Sequence, residues 1–493
     1  MIIVNIYRSI KGNNNIFITL ALLIIFFLYC VTLMVFAQQQ NNLQAIEGIW
    51  EGKIEVFGTE LTIVCHISVT PEGSLIATID SPDQGVTGIP VEQITLKENN
   101  LSLQIPSIGG SFQGKFSEDF SRIEGIWQQS GTSFNLLLHR IEKSIEIKRP
   151  QEPKKPYPYY EEEVKYENKA AGITLAGTLT LPDGEGLFPA AILISGSGPQ
   201  DRDEAIVGHR PFLVLADYLT RQGIAILRFD DRGVGESEGN FDLATSEDFA
   251  TDVLAGIAYL KNREEINTEQ IGLIGHSEGG LIAPMVAAHS SDVGFIVLMA
   301  GPGLRGEEIL YLQGALISKV AGISEEEIIR NRRFNERVYT LIKEEENQGI
   351  VAEQLYQILM DYFNELSKEE KDKIGDIEAY INVQMQSLLS PWFRYFLIYD
   401  PSPTLSMVKC PVLVINGEKD LQVPPSENLS AIEKALIEGG NKDFIIKEFP
   451  GLNHLFQSAE TGSPDEYARI EETISPVVLK YISDWIWAHL YNN

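Results

Sequence analysis

From about Ala45 to Ile141 apolar and polar residues alternate with a period of two, as in Gly52-Lys-Ile-Glu-Val56, Glu60-Leu-Thr-Ile-Val-Cys-His-Ile-Ser-Val69 and Ser133-Phe-Asn-Leu-Leu-Leu-His139. That period belongs to strands with one buried face, and no helical run interrupts it, so the stretch predicts a small antiparallel β domain. Ile46-Glu-Gly-Ile-Trp50 recurs as Ile123-Glu-Gly-Ile-Trp127, which puts two tryptophans in equivalent places near the ends of a meander closing on itself. Two core aromatics on pairing strands explain them more simply than a ligand pocket does. Residues 142–165 then read as a linker, stiffened by Pro150, Pro153, Pro156 and Pro158.

Beyond about Tyr166 strands alternate with amphipathic helices. Ala225-Ile-Leu-Arg-Phe229, residues 271–275 and Phe295-Ile-Val-Leu-Met299 read as buried strands, with a helix from Phe249 to Asn262 between the first two. Such alternation makes an α/β unit with a doubly wound, mainly parallel sheet. From about Leu304 to Leu389 the alternation stops, and helical segments opened by Ser324-Glu-Glu-Glu327 and Ser367-Lys-Glu-Glu370 take over. An insertion between the strand near Met299 and the strand near Val412 falls at the C-terminal edge of the sheet, so it is expected to be a helical lid. Its apolar positions Leu355, Ile358, Leu359 and Phe363 are expected to pack the lid rather than touch a ligand.

The first residues differ in kind. Arg8 and Lys11 precede an apolar run from Ile16 to Phe36, and Val35-Phe-Ala37 stands just before the polar Gln38. This predicts an export signal over residues 1–37, with a mature periplasmic or extracellular chain starting at Gln38; an uncleaved membrane anchor is the alternative. Cys30 follows the bulky Tyr29, which argues against a lipoprotein signal, and Cys65 and Cys410 fall in separate domains, which argues against a disulfide framework.

A chain of 493 residues exceeds a single core and predicts two or three domains. Its 39 basic against 69 acidic residues give a formal charge of −30, which repels phosphate backbones and argues against a nucleic-acid partner. Membrane contact is expected only if the N-terminal segment is retained. The acidic runs Glu325–Glu327, Glu344–Glu346 and Glu369–Glu370 read as solvated helix faces. The oligomeric state is left open.

Chemistry enters with Ile271-Gly-Leu-Ile-Gly-His-Ser-Glu-Gly-Gly280, where a short apolar strand ends in Gly275-His276-Ser277-Glu278-Gly279 and passes into the helical Leu281-Ile-Ala-Pro-Met-Val-Ala-Ala-His289. Strand, tight glycine turn and helix together are the setting of a nucleophile elbow, which separates this motif from a bare glycine turn. Ser277 is the candidate nucleophile, and the N–H of Glu278 at the helix start is a candidate oxyanion donor. The second donor is expected after an earlier strand, where Ala190-Ala-Ile-Leu-Ile194 runs into Ser195-Gly-Ser-Gly-Pro199; the candidate is the N–H of Ser197.

A serine needs a base, and an elbow of this kind works with an acid and then a histidine further along the chain. Of the seven histidines, His454 and His489 lie beyond a plausible acid. His489 belongs to an amphipathic terminal helix, Tyr481-Ile-Ser-Asp-Trp-Ile-Trp-Ala-His-Leu-Tyr491, and reads as structural, whereas His454 sits in the loop Phe449-Pro-Gly-Leu-Asn-His-Leu-Phe456 after a strand. Pro411-Val-Leu-Val-Ile-Asn-Gly-Glu-Lys-Asp420 supplies the acid: the strand breaks at Gly417, and Asp420 is favoured over its rival Glu418 by its place before Gln422-Val-Pro-Pro425 and a capped helix from Ser426.

With these motifs in this order, the segment from about Tyr166 to the end resembles the bacterial serine α/β-hydrolases, particularly those described as serine aminopeptidase-like or as esterases. Ile194-Ser-Gly-Ser-Gly-Pro-Gln-Asp-Arg-Asp203, Phe229-Asp-Asp-Arg-Gly-Val-Gly-Glu-Ser237, the elbow, the Asp420 turn and the His454 loop carry the resemblance. Many relatives have His-Gly after the oxyanion strand, where this chain has Ser195-Gly196. Asp231-Arg232-Gly233 resembles the family's structural turn. The resemblance implies acyl transfer to water through a Ser277-His454-Asp420 triad, with no metal and no organic cofactor. A small-molecule carboxylic ester is the expected substrate, and a peptide or amide is the alternative. In a reading of another class, the β domain is the working part of a secreted binding protein whose hydrolase portion is inert.

Overall fold

The computed structural model describes residues 45–491 apart from 57–58, 72, 130–131, 144–147 and 375, so the expected export signal lies outside the described residues. Among the described residues no helix is long and apolar enough to cross a membrane. The chain divides at about residue 145 into two units.

The alternating stretch folds as nine strands: β1 (Gly48–Val56), β2 (Thr59–Val69), β3 (Leu75–Ser81), β4 (Val86–Pro90), β5 (Gln93–Lys97), β6 (Asn100–Ile105), β7 (Gly110–Phe116), β8 (Arg122–Gln129) and β9 (Thr132–Ile141). They form one antiparallel meander in the order β4-β3-β2-β1-β9-β8-β7-β6-β5, in which the first strand pairs with the last. The repeated tryptophans occupy the strands on either side of β9, both fully buried in one core with Phe112 and Ile67. Each buried indole N–H has an acceptor, Ile46 O for Trp50 and Gln129 Oε1 for Trp127. They are core residues, as expected.

The second unit carries an eight-stranded sheet of β10 (Tyr160–Asn168), β11 (Ile173–Leu181), β12 (Phe188–Ile194), β13 (Ala225–Phe229), β14 (Ile266–His276), β15 (Phe295–Met299), β16 (Val412–Gly417) and β17 (Phe444–Phe449). Its order is β10-β11-β13-β12-β14-β15-β16-β17, antiparallel from β10 to β13 and parallel from there on. Both faces are covered, which is why these strands read as continuous apolar runs. Along β12, Ala190, Ile192 and Ile194 join one core, and Ala191 and Leu193 join the other. The first core is closed by α2 (Ser246–Leu260), α3 (Gly279–Ala287) and α11 (Pro425–Glu438), the second by α1 (Pro211–Arg221) and α12 (Pro476–Tyr491). This is the α/β-hydrolase fold.

Between β15 and β16 come α4 (Gly306–Val320), α5 (Glu325–Glu344), α6 (Gln348–Glu365), α7 (Lys368–Ile374), α8 (Ile377–Leu388), α9 (Pro391–Ile398) and α10 (Pro401–Met407). The two serine boxes form: Ser324 Oγ accepts from Glu327 N, and Ser367 Oγ from Glu370 N. Leu355, Leu359 and Phe363 are buried, and the first two belong to a core of the lid's own with Val338, Ile342 and Leu397.

Three expected boundaries move. Residues 142–165 are not all linker, because Tyr160–Asn168 is the edge strand β10; its buried Val164, Tyr166 and Asn168 alternate with the charged Glu163, Lys165 and Glu167, which resemble a solvated tether. Ahead of it, Arg149 donates to the carbonyls of Val207, Gly208, Ala468 and Ile470, and Gln151 to that of Ile474, so this proline-rich segment is fixed to the second unit. The lid runs past residue 389 through α9, because Ser390 caps a new helix with Pro391 at its first position. The helix after Asp420 starts at Pro425 rather than being capped at Ser426, since Pro424 holds the cap position without a side-chain bond.

Candidate active site

β14 ends at His276, and the chain turns into α3 within two residues. At that turn Ser277 has φ +52°, a left-handed conformation rare for a residue with a side chain and typical of strained functional turns. The flanking glycines make the turn possible by close approach. A Cβ on Gly275 would strike the carbonyl of Gly279, and one on Gly279 would strike the carbonyl of Ile194 in the neighbouring strand. Ser277 N–H donates to Met299 O at 2.8 Å and Gly280 N–H to Ser277 O at 2.8 Å, which fixes the elbow against β15 and starts α3.

The loops after β16 and β17 bring the other two expected groups together. His454 Nδ1–H donates to Asp420 Oδ2 at 2.8 Å, and the remaining oxygen of Asp420 accepts from the N–H groups of Gln422 and Val423 at 2.8 Å each. Both residues are almost fully buried. A carboxylate held by backbone donors on one oxygen and an imidazole on the other fixes the tautomer of that imidazole, with Nε2 as the free acceptor. Glu418 takes the N–H of Gly451 instead. His489 packs on Trp485 and contacts Asp443, away from the elbow.

Ser277, His454, Ser197 and Glu278 line one cavity of about 260 Å³. The N–H of Gly196 is taken by Glu204 Oε1 at 2.7 Å, which leaves Ser197 as the next backbone donor along the loop after β12. The hydroxyl of Ser197 also bonds the carboxyl of Glu278. Ile309, Leu310 and Gln313 of α4 and Trp392 and Phe396 of α9 form the lid side of the cavity.

Burial dominates the electrostatics here. It pushes the carboxyl of Glu278 up, against the hydrogen bonds from Ser246, Trp392 and Ser197. It pushes Asp231 up to about 8, with the charges of Glu278 and Glu204 adding to the effect. Asp231 accepts from Ser195 Oγ and Gln200 N, and Arg232 is held by Asp252, so the Asp231-Arg232-Gly233 turn ties the end of β13 to the loop after β12 and to α2, a structural role.

Three residues of the site were not singled out in the sequence. His276 precedes the serine in the elbow itself, and its ring bonds Glu204 at 2.8 Å. Glu204 follows directly on the quoted Asp201-Arg-Asp203 run. Trp392 lies beyond the expected end of the lid, in Ser390-Pro-Trp-Phe393, where only the serine-proline helix start marked it. Among the described residues no cluster of His, Cys, Asp and Glu could hold a metal ion.

Comparison with known proteins places these features among hydrolases. Residues 210–348, which include Ser277, match the serine aminopeptidase (S33) family model, and residues 363–474, which include Asp420 and His454, match that of the prolyl oligopeptidase family. The chain is 25% identical over 331 residues to esterase EstD of Thermotoga maritima, covering 67% of this chain and 69% of that protein. It is 24% identical over 267 residues to an uncharacterized 31.7 kDa Escherichia coli protein, covering 54% and 84%. Among solved structures, the α/β hydrolase GrgF from Penicillium sp. sh18 aligns with 67% of this chain and 99% of its own at 17% identity and a TM-score of 0.42. The Pyrococcus furiosus esterase Pf2001 aligns with 70% and 97% at 15% identity and a TM-score of 0.41. The family descriptions and the curated relative agree on hydrolysis and divide between peptide and ester.

Proposed function

We propose that the second unit is a serine hydrolase that cleaves carboxylic esters through an acyl-enzyme. The observation that carries this reading is a serine at positive φ sharing one cavity with a histidine whose far nitrogen is fixed by a buried aspartate. His454 Nε2 takes the Ser277 proton as Oγ bonds to the carbonyl carbon, and the N–H groups of Ser197 and Glu278 receive the oxyanion. The imidazolium returns that proton to the departing alkoxide as the ester C–O bond breaks. Water then gives a proton to His454 and its oxygen to the acyl carbon, and collapse of the second tetrahedral intermediate frees the acid and restores the Ser277 hydroxyl.

The ester preference rests on the leaving group. An alkoxide departs more readily than an amine, which needs a proton delivered in a closely held geometry. Two family matches with peptidase descriptions support amide hydrolysis as the second reading. Comparing kcat/KM for p-nitrophenyl acetate and butyrate with aminoacyl and X-Pro p-nitroanilides separates the two. The esters are expected to exceed every anilide, and an anilide that matches the better ester replaces the esterase reading with the peptidase one.

A further inference from the structure

Glu204 stands at a junction of three loops. It has φ +50°, left-handed for a residue with a side chain, and is nearly fully buried. Its Oε1 accepts from Gly196 N–H in the oxyanion loop at 2.7 Å and from His276 Nδ1–H in the elbow at 2.8 Å. The other nitrogen of His276, Nε2, donates to the backbone carbonyl of His454 at 3.0 Å, and the two imidazoles lie with centroids 4.9 Å apart. One carboxylate and one imidazole therefore join the loop offering Ser197 N–H, the turn offering Ser277 and the loop offering His454.

The protonation of this link follows from its partners. A carbonyl oxygen only accepts, and so does an ionised carboxylate, so with Glu204 ionised a ring bonded to both carries hydrogen on both nitrogens. His276 is then an imidazolium facing an anionic Glu204, a charge-assisted pair shut away from solvent. Burial opposes its charge, but the Glu204 carboxylate and the His454 carbonyl outweigh that, and His276 is held above the ordinary histidine range. The other titratable groups facing it are His454 itself and, behind it, Asp420.

We infer that the Glu204–His276 ion pair is a positioning device, a charged brace that sets the oxyanion loop, the nucleophile and the catalytic histidine relative to one another. It rests on the hydrolase reading of the site. Neither residue takes a proton from the substrate. A neutral His276 could donate only once, so one of the three loops would be released whenever the pair lost its charge. Because the brace acts on the geometry of the reacting groups and not on the acyl pocket, its loss falls on turnover rather than on substrate binding.

The test uses the full chain, its Glu204→Gln variant and Ser277→Ala, assayed with p-nitrophenyl butyrate from pH 5.5 to 9.5. Glu204→Gln is expected to lower kcat by about 10- to 100-fold with KM within about threefold. Its activity should also fall as pH rises through neutrality, where the parent holds its plateau, because His276 loses its proton earlier without the carboxylate. Nitrogen NMR of 15N-histidine-labelled parent protein, with the His276 signal assigned by its absence from folded His276→Asn, is expected to show an imidazolium at pH 7.5, a readout of the parent that does not depend on the activity or folding of Glu204→Gln. A neutral His276 in the parent, or a folded Glu204→Gln enzyme with parental kcat and pH profile beside an inactive Ser277→Ala, would overturn the brace. An active Ser277→Ala would instead remove the hydrolase reading beneath it, leaving the charge state of His276 as found.

Discussion

Trp392 Nε1–H donates to Glu278 Oε1 at 2.7 Å, which ties the lid helix α9 to the residue that follows the elbow serine. The same oxygen accepts from Ser246 Oγ at 2.6 Å, so lid, elbow and the start of α2 meet at one buried carboxyl. The indole stacks on Phe396 at 5.1 Å, and both rings line the cavity that holds Ser277. The roof over the serine is thus an anchored aromatic wall, and on the proposed esterase reading the acyl chain lies against it, so that its position sets the chain length the cavity takes.

Trp392→Ala is expected to open that wall. The ratio of kcat/KM for p-nitrophenyl octanoate over butyrate should rise by about tenfold, the scale on which a few methylene contacts discriminate substrates. Trp392→Phe keeps much of the wall but loses the bond to Glu278, and should shift the ratio less. An unchanged ratio in Trp392→Ala would contradict the placement of the acyl group against α9.

Asp420 and Glu418 make a sharper pair. Asp420→Asn preserves the shape of the contact but favours the wrong tautomer of His454, and kcat is expected to fall on the order of 10⁴-fold with the circular dichroism spectrum unchanged. Glu418→Gln, which affects only the bond to Gly451 N–H, should stay within about threefold of the parent, as for a residue that does not touch the reacting groups. Initial rates on one ester decide it; comparable losses in both variants would contradict the assignment.

His209 supplies a pH signature of stability rather than of activity. It is fully buried, bonds Thr473 Oγ1 and the Tyr467 carbonyl, and burial pushes it down to about 4. The folded state prefers the neutral ring, so between about pH 4 and 6.5 the unfolded chain binds the extra proton and stability rises with pH, approaching about 1.4 kcal/mol per unit. Above that window the contribution is fully present and level. Urea denaturation from pH 5 to 7 should show His209→Gln with a shallower slope than the parent; equal slopes would contradict it.

Legibility in the sequence followed the range over which each feature is encoded. Ser277, Asp420 and His454 each sit in a strand-turn pattern a few residues long, and such patterns can be read one at a time. The same holds for the alternating strands of the first unit and for both serine boxes of the lid. Glu204 and His276 are 72 positions apart and Glu278 and Trp392 are 114 apart, so nothing local marks them as partners. β10 was obscured for another reason. An edge strand buries one face only, and its Tyr160-Glu-Glu-Glu-Val-Lys-Tyr-Glu-Asn168 sequence has the composition of a tether until its pairing with β11 is known.

The central claim is that Ser277 is the nucleophile. It is tested most directly by treating the full chain and Ser277→Ala with a fluorophosphonate and mapping the adduct by peptide mass spectrometry, with ester turnover measured on the same samples. The expected result is a single adduct on Ser277, absent from the variant, together with a loss of turnover on the order of a millionfold in a protein that is still folded. An adduct on another residue, or near-parental turnover in folded Ser277→Ala, would contradict the account.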